Sequence, residues 1–222
     1  MSDAIVIGSI AGVVVGAVAL MIWAESRRRK AIQALFSAQG DQVWIKPTAD
    51  VQGQALQAVG SPPEMKDGPT GVKWAAELKS TRRPAWVVEH SYSRGSGKSR
   101  RTYNHTMVAT QVPAGWATTT ITRRSLWNKL AALVGRKDMQ LDNEAFNKAF
   151  HVTTDDENFA LVFLTPELQE WLLATPPDWT VRVTGGMLQV FVARAAAVKK
   201  LPLMLRAPDE VLARTTRELF DA

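Results

Sequence analysis

Residues 86–110 read WVVEHSYSRGSGKSRRTYNHTMVAT. Two β-prone runs, WVVEHSYS and TYNHTMVAT, flank the polar, glycine-containing RGSGKSR, which is the pattern of a hairpin with a connection longer than a tight turn. Setting Tyr92 opposite Tyr103 also sets His90 opposite His105, Val88 opposite Met107 and Trp86 opposite Ala109. The other face then pairs Glu89 with Thr106 and Val87 with Val108. Like residues falling opposite like is what cross-strand contacts favour. The reading is therefore an antiparallel hairpin with a cationic tip.

Outward from this hairpin the chain alternates short strands with short helices. Val72–Leu78 sets Val72, Trp74, Ala76 and Leu78 against Lys73 and Glu77, a period of two. QVWIK at 42–46 reads as a strand ended by Pro47, and Asp50 as the cap of a helix closed by Gly60. Trp116–Thr122 is a strand by its Thr and Ile content. Further on, a helix is expected over Leu126–Val134, a strand over Met139–Leu141, a helix over Asn143–Phe150 capped by Asp142, and an extended His151–Thr154. Asp155 or Asp156 caps a helix over Glu157–Leu164. Thr165-Pro166-Glu167 supplies a capping hydroxyl, a first-turn proline and a first-turn acid for a helix to Ala174. Trp179–Ala193 is a second hairpin on a Gly185-Gly186 turn, with Val183 facing Leu188, Val181 facing Val190 and Trp179 facing Val192. Ala195–Leu205 reads as a helix around Pro202, and Pro208 as the start of a last helix to Phe220. No internal repeat is present. The fold class expected is α+β: antiparallel hairpins packed with short helices.

The N-terminus is of another kind. Ala4–Ala24, AIVIGSIAGVVVGAVALMIWA, holds 21 residues and no charge. At about 1.5 Å per residue it reaches roughly 30 Å, the thickness of a bilayer's hydrocarbon core. A transmembrane helix is expected over 4–24, with Trp23 at headgroup level. The basic cluster Arg27, Arg28, Arg29 and Lys30 follows it. Positive residues stay cytoplasmic, so the N-terminus is placed outside and residues 25–222 inside, at the plasma membrane. The expected division is 1–40, the helix with its basic extension, and 41–222, one cytoplasmic domain. Gly8, Gly12 and Gly16 form a small-xxx-small row suited to close approach of a second helix, hence to a homo-oligomer.

The chain carries 222 residues, net charge +6 and a pI near 9.8. It has no cysteine, which removes disulfides, a thiolate nucleophile and Cys-based zinc sites. Residues 79–101 carry seven basic side chains against Glu89 alone, and residues 138–170 carry eight acids against Lys148 alone. Arg94, Lys98, Arg100 and Arg101 at the hairpin tip, with the cluster 27–30, are the candidate contacts to anionic lipid. Phosphate pairing plus stacking on Tyr92 and Tyr103 is the nucleic-acid alternative, and it ranks behind lipid or protein contact.

Catalytic chemistry finds little support. A phosphate loop needs a glycine five residues before Gly97, where Tyr92 stands, and must open a helix rather than join two strands. His90 and His105 face each other, but two ligands are too few for a zinc site. The acids at Asp142, Glu144, Asp155, Asp156 and Glu157 read as helix caps and first-turn charges. No catalytic, cofactor or metal residue is assigned.

From Trp86 onward the order of features resembles an uncharacterised family of bacterial, largely actinobacterial, membrane-anchored proteins of unknown function. The carrying segments are GSGKSRRTYNHT, DNEAFNKAFHV, ALVFLTPELQEWLL and the Trp179–Ala193 hairpin. The resemblance implies an α+β domain behind a transmembrane helix and no known activity or site residues. The function expected is a membrane-anchored, non-enzymatic interaction module with a protein partner. The alternatives are a lipid or small-ligand binding domain at the inner leaflet, or a membrane-bound enzyme with its site near His90 and His105.

Overall fold

The computed structural model describes the backbone of residues 2–60, 71–94, 97–127 and 138–220, and the side chains of 15–60, 71–93, 97–126 and 138–220. Eight antiparallel strands form one sheet: β1 (Gln42–Ile45), β2 (Gly71–Leu78), β3 (Ala85–Arg94), β4 (Arg101–Gln111), β5 (Thr119–Arg123), β6 (Phe150–Thr154), β7 (Thr180–Thr184) and β8 (Met187–Val192). Their order is β1-β2-β3-β4-β8-β7-β5-β6. The helices are α1 (Ser2–Ser37), α2 (Ala49–Val59), α3 (Arg124–Trp127), α4 (Glu144–Ala149), α5 (Glu157–Phe163), α6 (Pro166–Ala174) and α7 (Leu201–Ala213). The α+β class is thus as expected.

Both hairpins keep the register that side-chain matching gives. Tyr92 lies opposite Tyr103, His90 opposite His105, Glu89 opposite Thr106 and Val87 opposite Val108. Val183 lies opposite Leu188 and Val181 opposite Val190, while Trp179 precedes the strand. The hairpins then join edge to edge, β4 on β8, with Val108 beside Val190 and Met107 beside Phe191.

Alternate residues feed two cores. Val87, Val108, Val181, Val190, Ile121 and Val152 meet α1, α5, α6 and α7 through Phe36, Phe163, Leu168 and Val211. Val88, Met107, Ala109 and Phe191 meet α2 through Ala55 and Val59 on the opposite face. The difference in size has a sequence cause. Thr120, Thr122, Thr153 and Thr180 are buried on strands β5 to β7 where the alternate positions are Ile121, Val152 and Val181.

Several helix ends differ from expectation. Thr48, not Asp50, precedes α2, and Asp50 sits in its first turn. Asn143, not Asp142, caps α4, accepting from the Phe146 N–H at 3.0 Å. Asp156 caps α5 and Thr165 caps α6, the latter as expected. Met139–Leu141 forms no strand; Met139 donates a single backbone bond to Val152. The helix expected over Leu126–Val134 lies largely outside the described residues. Pro208 does not start a helix but sits buried inside α7, whose first turn holds Pro202. Burial of Leu205, Ala207, Val211 and Leu212 along one face outweighs the backbone bond the proline lacks.

Among the described residues no helix is long and apolar enough to cross a membrane. The expected span, Ala4–Ala24, lies within α1, the side chains of 4–14 fall outside the described residues, and from Glu25 onward charge interrupts the apolar run. Gly8 and Gly12 lie outside the described side chains, whereas nothing lies within 4 Å of a Cβ built on Gly16. The C-terminal half of α1 belongs to the domain. Ile32 and Phe36 are fully buried in the larger core, and the Phe36 ring lies 5.6 Å from that of Trp74. The expected division at residues 40 and 41 therefore runs through a packed contact.

Candidate functional site: the basic end of the sheet

Residue order and three contacts fix how α1 lies on the sheet. Past its C-terminal end, Asp41 accepts from the Lys79 and Ser80 N–H groups at 2.8 and 3.0 Å, beside the β2–β3 turn. Phe36 packs on Trp74. Arg28 reaches Glu89, donating from Nη1 at 3.1 Å and from Nη2 at 2.5 Å. Trp74 and Glu89 stand opposite each other in the sheet, so between Phe36 and Arg28 α1 crosses from β2 to β3.

The Glu89 carboxylate is fully buried, and its ion pair with Arg28 is the anchor of this arrangement. Arg28 Nη2 also donates to the Ala196 carbonyl at 3.1 Å. Thr106 Oγ1 accepts from the Ala196 N–H at 2.8 Å and lies 3.4 Å from Glu89 Oε2. One carboxylate in the middle of β3 therefore ties α1, β4 and the segment after β8 together. Sequence reading missed this pair. The signal was present, because Glu89 is the one acid among residues 79–101 and shares its strand face with Val87.

The other basic residues end up outside. Arg27 lies over the Trp23 ring at 4.8 Å and is exposed. Arg29 Nε donates to Glu25 at 3.1 Å. Lys30 is exposed and makes no ion pair among the described residues. At the tip, a single 3₁₀ turn over Gly97–Ser99 carries Lys98, with Arg100 and Arg101 after it, all exposed and without an ion pair among the described residues. The Arg94 side chain lies outside the described residues. Lys46 and Lys73, both exposed, meet through a Lys46 N–H to Lys73 carbonyl bond of 3.0 Å, at the same end of β1 and β2. Behind the tip, Tyr92 and Tyr103 stack at 5.3 Å between ring centroids, and Tyr103 is 39% exposed. The structure leaves Arg27, Arg29 and Lys30 on the surface of α1 and Lys98, Arg100 and Arg101 on the surface of the tip, and turns Arg28 inward.

The histidines are placed differently. His90 and His105 have rings 5.6 Å apart on the α2 face, both essentially inaccessible. Neither ring nitrogen of His90 finds a hydrogen-bond partner among the described residues. Burial first, and the neighbouring His105 second, push the His90 pKa down to about 4. Both rings are closed off from solvent. His151 lies far away, with Nδ1 3.4 Å from Asp138 Oδ1. Burial lowers its pKa, opposed by Asp138 and reinforced by Arg124. Asp138 is already engaged by the Val152 N–H at 3.0 Å and by Arg124 Nη2 at 2.5 Å, so it clips the 138–152 connection. Among the described residues no group of three or more His, Asp or Glu is placed to hold a metal ion. Arg123 donates from Nη2 to the carbonyls of Leu172, Leu173 and Thr175, closing the C-terminal end of α6.

In the comparisons with known proteins, no family model, no curated protein and no solved structure matches the chain.

Proposed function

We propose that this protein is a single-pass membrane-tethered interaction module whose sheet presents its basic end to the anionic cytoplasmic leaflet. The observation that carries the reading is the exposed apolar stretch of α1 leading into Arg27, Arg29 and Lys30, on a helix that the Arg28–Glu89 pair fixes to the sheet. The uncharged run 4–24 serves as the tether, and the cations at 27–30 support a domain on the cytoplasmic side. Val15, Leu20, Met21, Ile22 and Trp23 are all exposed on the domain-proximal part of that run, an apolar surface that needs cover.

At an anionic surface Lys98, Arg100 and Arg101 each gain about 1 kcal/mol, and Tyr103 takes the position interfacial aromatics occupy. The buried histidines leave the His90/His105 face without an opening for an enzymatic role. Held this way, the β2–β3 turn and α7 face the cytoplasm, where a protein partner would dock.

The absence of cysteine allows a direct test, since single engineered cysteines report one place each. Full-length Ser99→Cys, carrying an environment-sensitive fluorophore, is reconstituted in nanodiscs containing phosphatidylglycerol. Its emission should shift to the blue relative to the same label on Gln39→Cys at the opposite end. Equal emission from both sites defeats the leaflet contact, and release of the full-length protein from membranes by alkaline carbonate defeats the tether.

A further inference from the structure

A groove of about 420 Å³ runs along α1 beside the β1 edge strand. Met21 and Ile22 line its end toward the helix N-terminus. Glu25, Ser26, Arg29, Lys30 and Gln33 line the rest along α1, and Ile45, at the end of β1, completes the lining. Met21 and Ile22 are 64% and 66% exposed, so the apolar end is open. Arg29 spends its Nε on Glu25, and its Nη groups make no hydrogen bond among the described residues. Lys30 has no ion-pair partner there either. Lys46, next to Ile45, is exposed and holds φ at 53°, a left-handed conformation that a non-glycine side chain rarely adopts. Lys30 and the free Nη groups of Arg29 thus line a groove whose other end is apolar, with Lys46 exposed beside Ile45.

The polarity of the groove runs along the helix axis. From residue 21 to residue 29 α1 rises about 12 Å. Resting on the membrane-tether reading above, the apolar end faces the hydrocarbon and the cationic end faces the headgroup layer. A phospholipid has the same polarity over the same length, with its phosphate outward and its chains inward. A soluble anion would use only the cationic end, and an apolar segment of a partner would leave Lys30 and the Nη groups of Arg29 uncompensated. We infer that this groove holds one anionic phospholipid, with its phosphate between Arg29 and Lys30 and its first acyl carbons on Met21 and Ile22. The domain then recognises a lipid class as well as a charged surface. The neighbouring Lys46 contributes from the β1 side.

The test uses full-length protein in phosphatidylcholine nanodiscs doped with spin-labelled phosphatidylglycerol or, separately, spin-labelled phosphatidylcholine. The motionally restricted fraction should favour phosphatidylglycerol by roughly fivefold or more, as expected when cations face an anionic headgroup. Arg29→Gln with Lys30→Gln should bring the two lipids to near equality. The triple variant Lys98→Gln, Arg100→Gln, Arg101→Gln should keep the preference, because the tip lies outside the groove. Equal restriction of both lipids in the unaltered protein overturns the inference while leaving the tether intact. So does equal loss of preference in the tip variant, which would mean general surface attraction. Displacement of the labelled lipid by excess inorganic phosphate would assign the site to a free anion instead. Failure of the protein to enter nanodiscs at all would remove the membrane reading itself.

Discussion

The two hairpins of the sheet are built on opposite economies. The β7–β8 hairpin closes with two residues, Gly185 and Gly186, at φ of 55° and 73°. A Cβ on Gly186 would lie 3.5 Å from the Ala114 Cα and the Val112 carbonyl. Almost every other residue in it is there to pack or to turn. The β3–β4 hairpin is twice as long, buries a carboxylate and two imidazoles between its strands, and ends in Lys98, Arg100 and Arg101, which make no ion pair among the described residues. It holds polar groups where packing alone would choose apolar ones, and charge where a turn needs none. Residues that folding does not require are the ones to examine for function.

That contrast can be broken most severely at Glu89. Arg28→Met removes the partner of a fully buried carboxylate. Loss of one member of a buried pair costs about 3–5 kcal/mol, so a large drop in the denaturation midpoint is expected by chemical unfolding. Adding Glu89→Leu to Arg28→Met should restore most of it, because two apolar groups replace the pair without stranding a charge. Failure of the double variant to recover would mean that the pair specifies how α1 docks rather than merely neutralising Glu89.

The second break is by pH. His90 ionises near 4 in the folded protein and near 6.5 when unfolded. Its folded pKa is lowered, so the unfolded chain binds the proton more readily. The contribution to stability is complete above about pH 6.5 and is lost as pH falls toward 4, by roughly 3 kcal/mol in all. Thermal unfolding followed from pH 7 to pH 4 should show this loss, and His90→Leu should flatten it. The β7–β8 hairpin holds no titratable group comparable to it, so variants there should leave the slope alone.

The third sharpens the contrast at the turns. Gly186→Ala forces a left-handed conformation on a residue with a Cβ, for about 1–2 kcal/mol, and the midpoint should fall accordingly. The triple tip variant Lys98→Gln, Arg100→Gln, Arg101→Gln should change stability by less than about 0.5 kcal/mol. Its effect should appear instead in the emission of the Ser99→Cys label, as a smaller blue shift in anionic nanodiscs.

How much of this was legible in the chain depends on the reach of the interaction. Hairpin registers were legible, since pairing of like residues at fixed spacing is local and Tyr92/Tyr103 or Val181/Val190 declare it. So was the start of α6, because Thr165, Pro166 and Glu167 each satisfy a nearby backbone or dipole requirement. Local rules failed at Pro208, where burial of one helix face overrides a missing hydrogen bond. They failed more mildly at Asn143 and Thr48, one or two residues from the expected caps.

The candidate site divides the same way. The basic residues at 27–30 and 94–101 stand out in the sequence as charge without compensation. That Arg28 leaves the set to pair with Glu89, 61 residues on, is a long-range choice made when α1 docks. Where the remaining α1 cations lie relative to the sheet follows only from that docking. The sequence by itself determined the strands, their partners within each hairpin, the apolar N-terminal run and the excess of positive charge. All of these depend on side chains within a few residues of each other. The tertiary structure alone decided that β4 joins β8, that α1 is held by a buried carboxylate, and that the groove beside Ile45 lies next to Arg29 and Lys30. Those depend on which distant surfaces exclude water from each other, and no spacing along the chain encodes that.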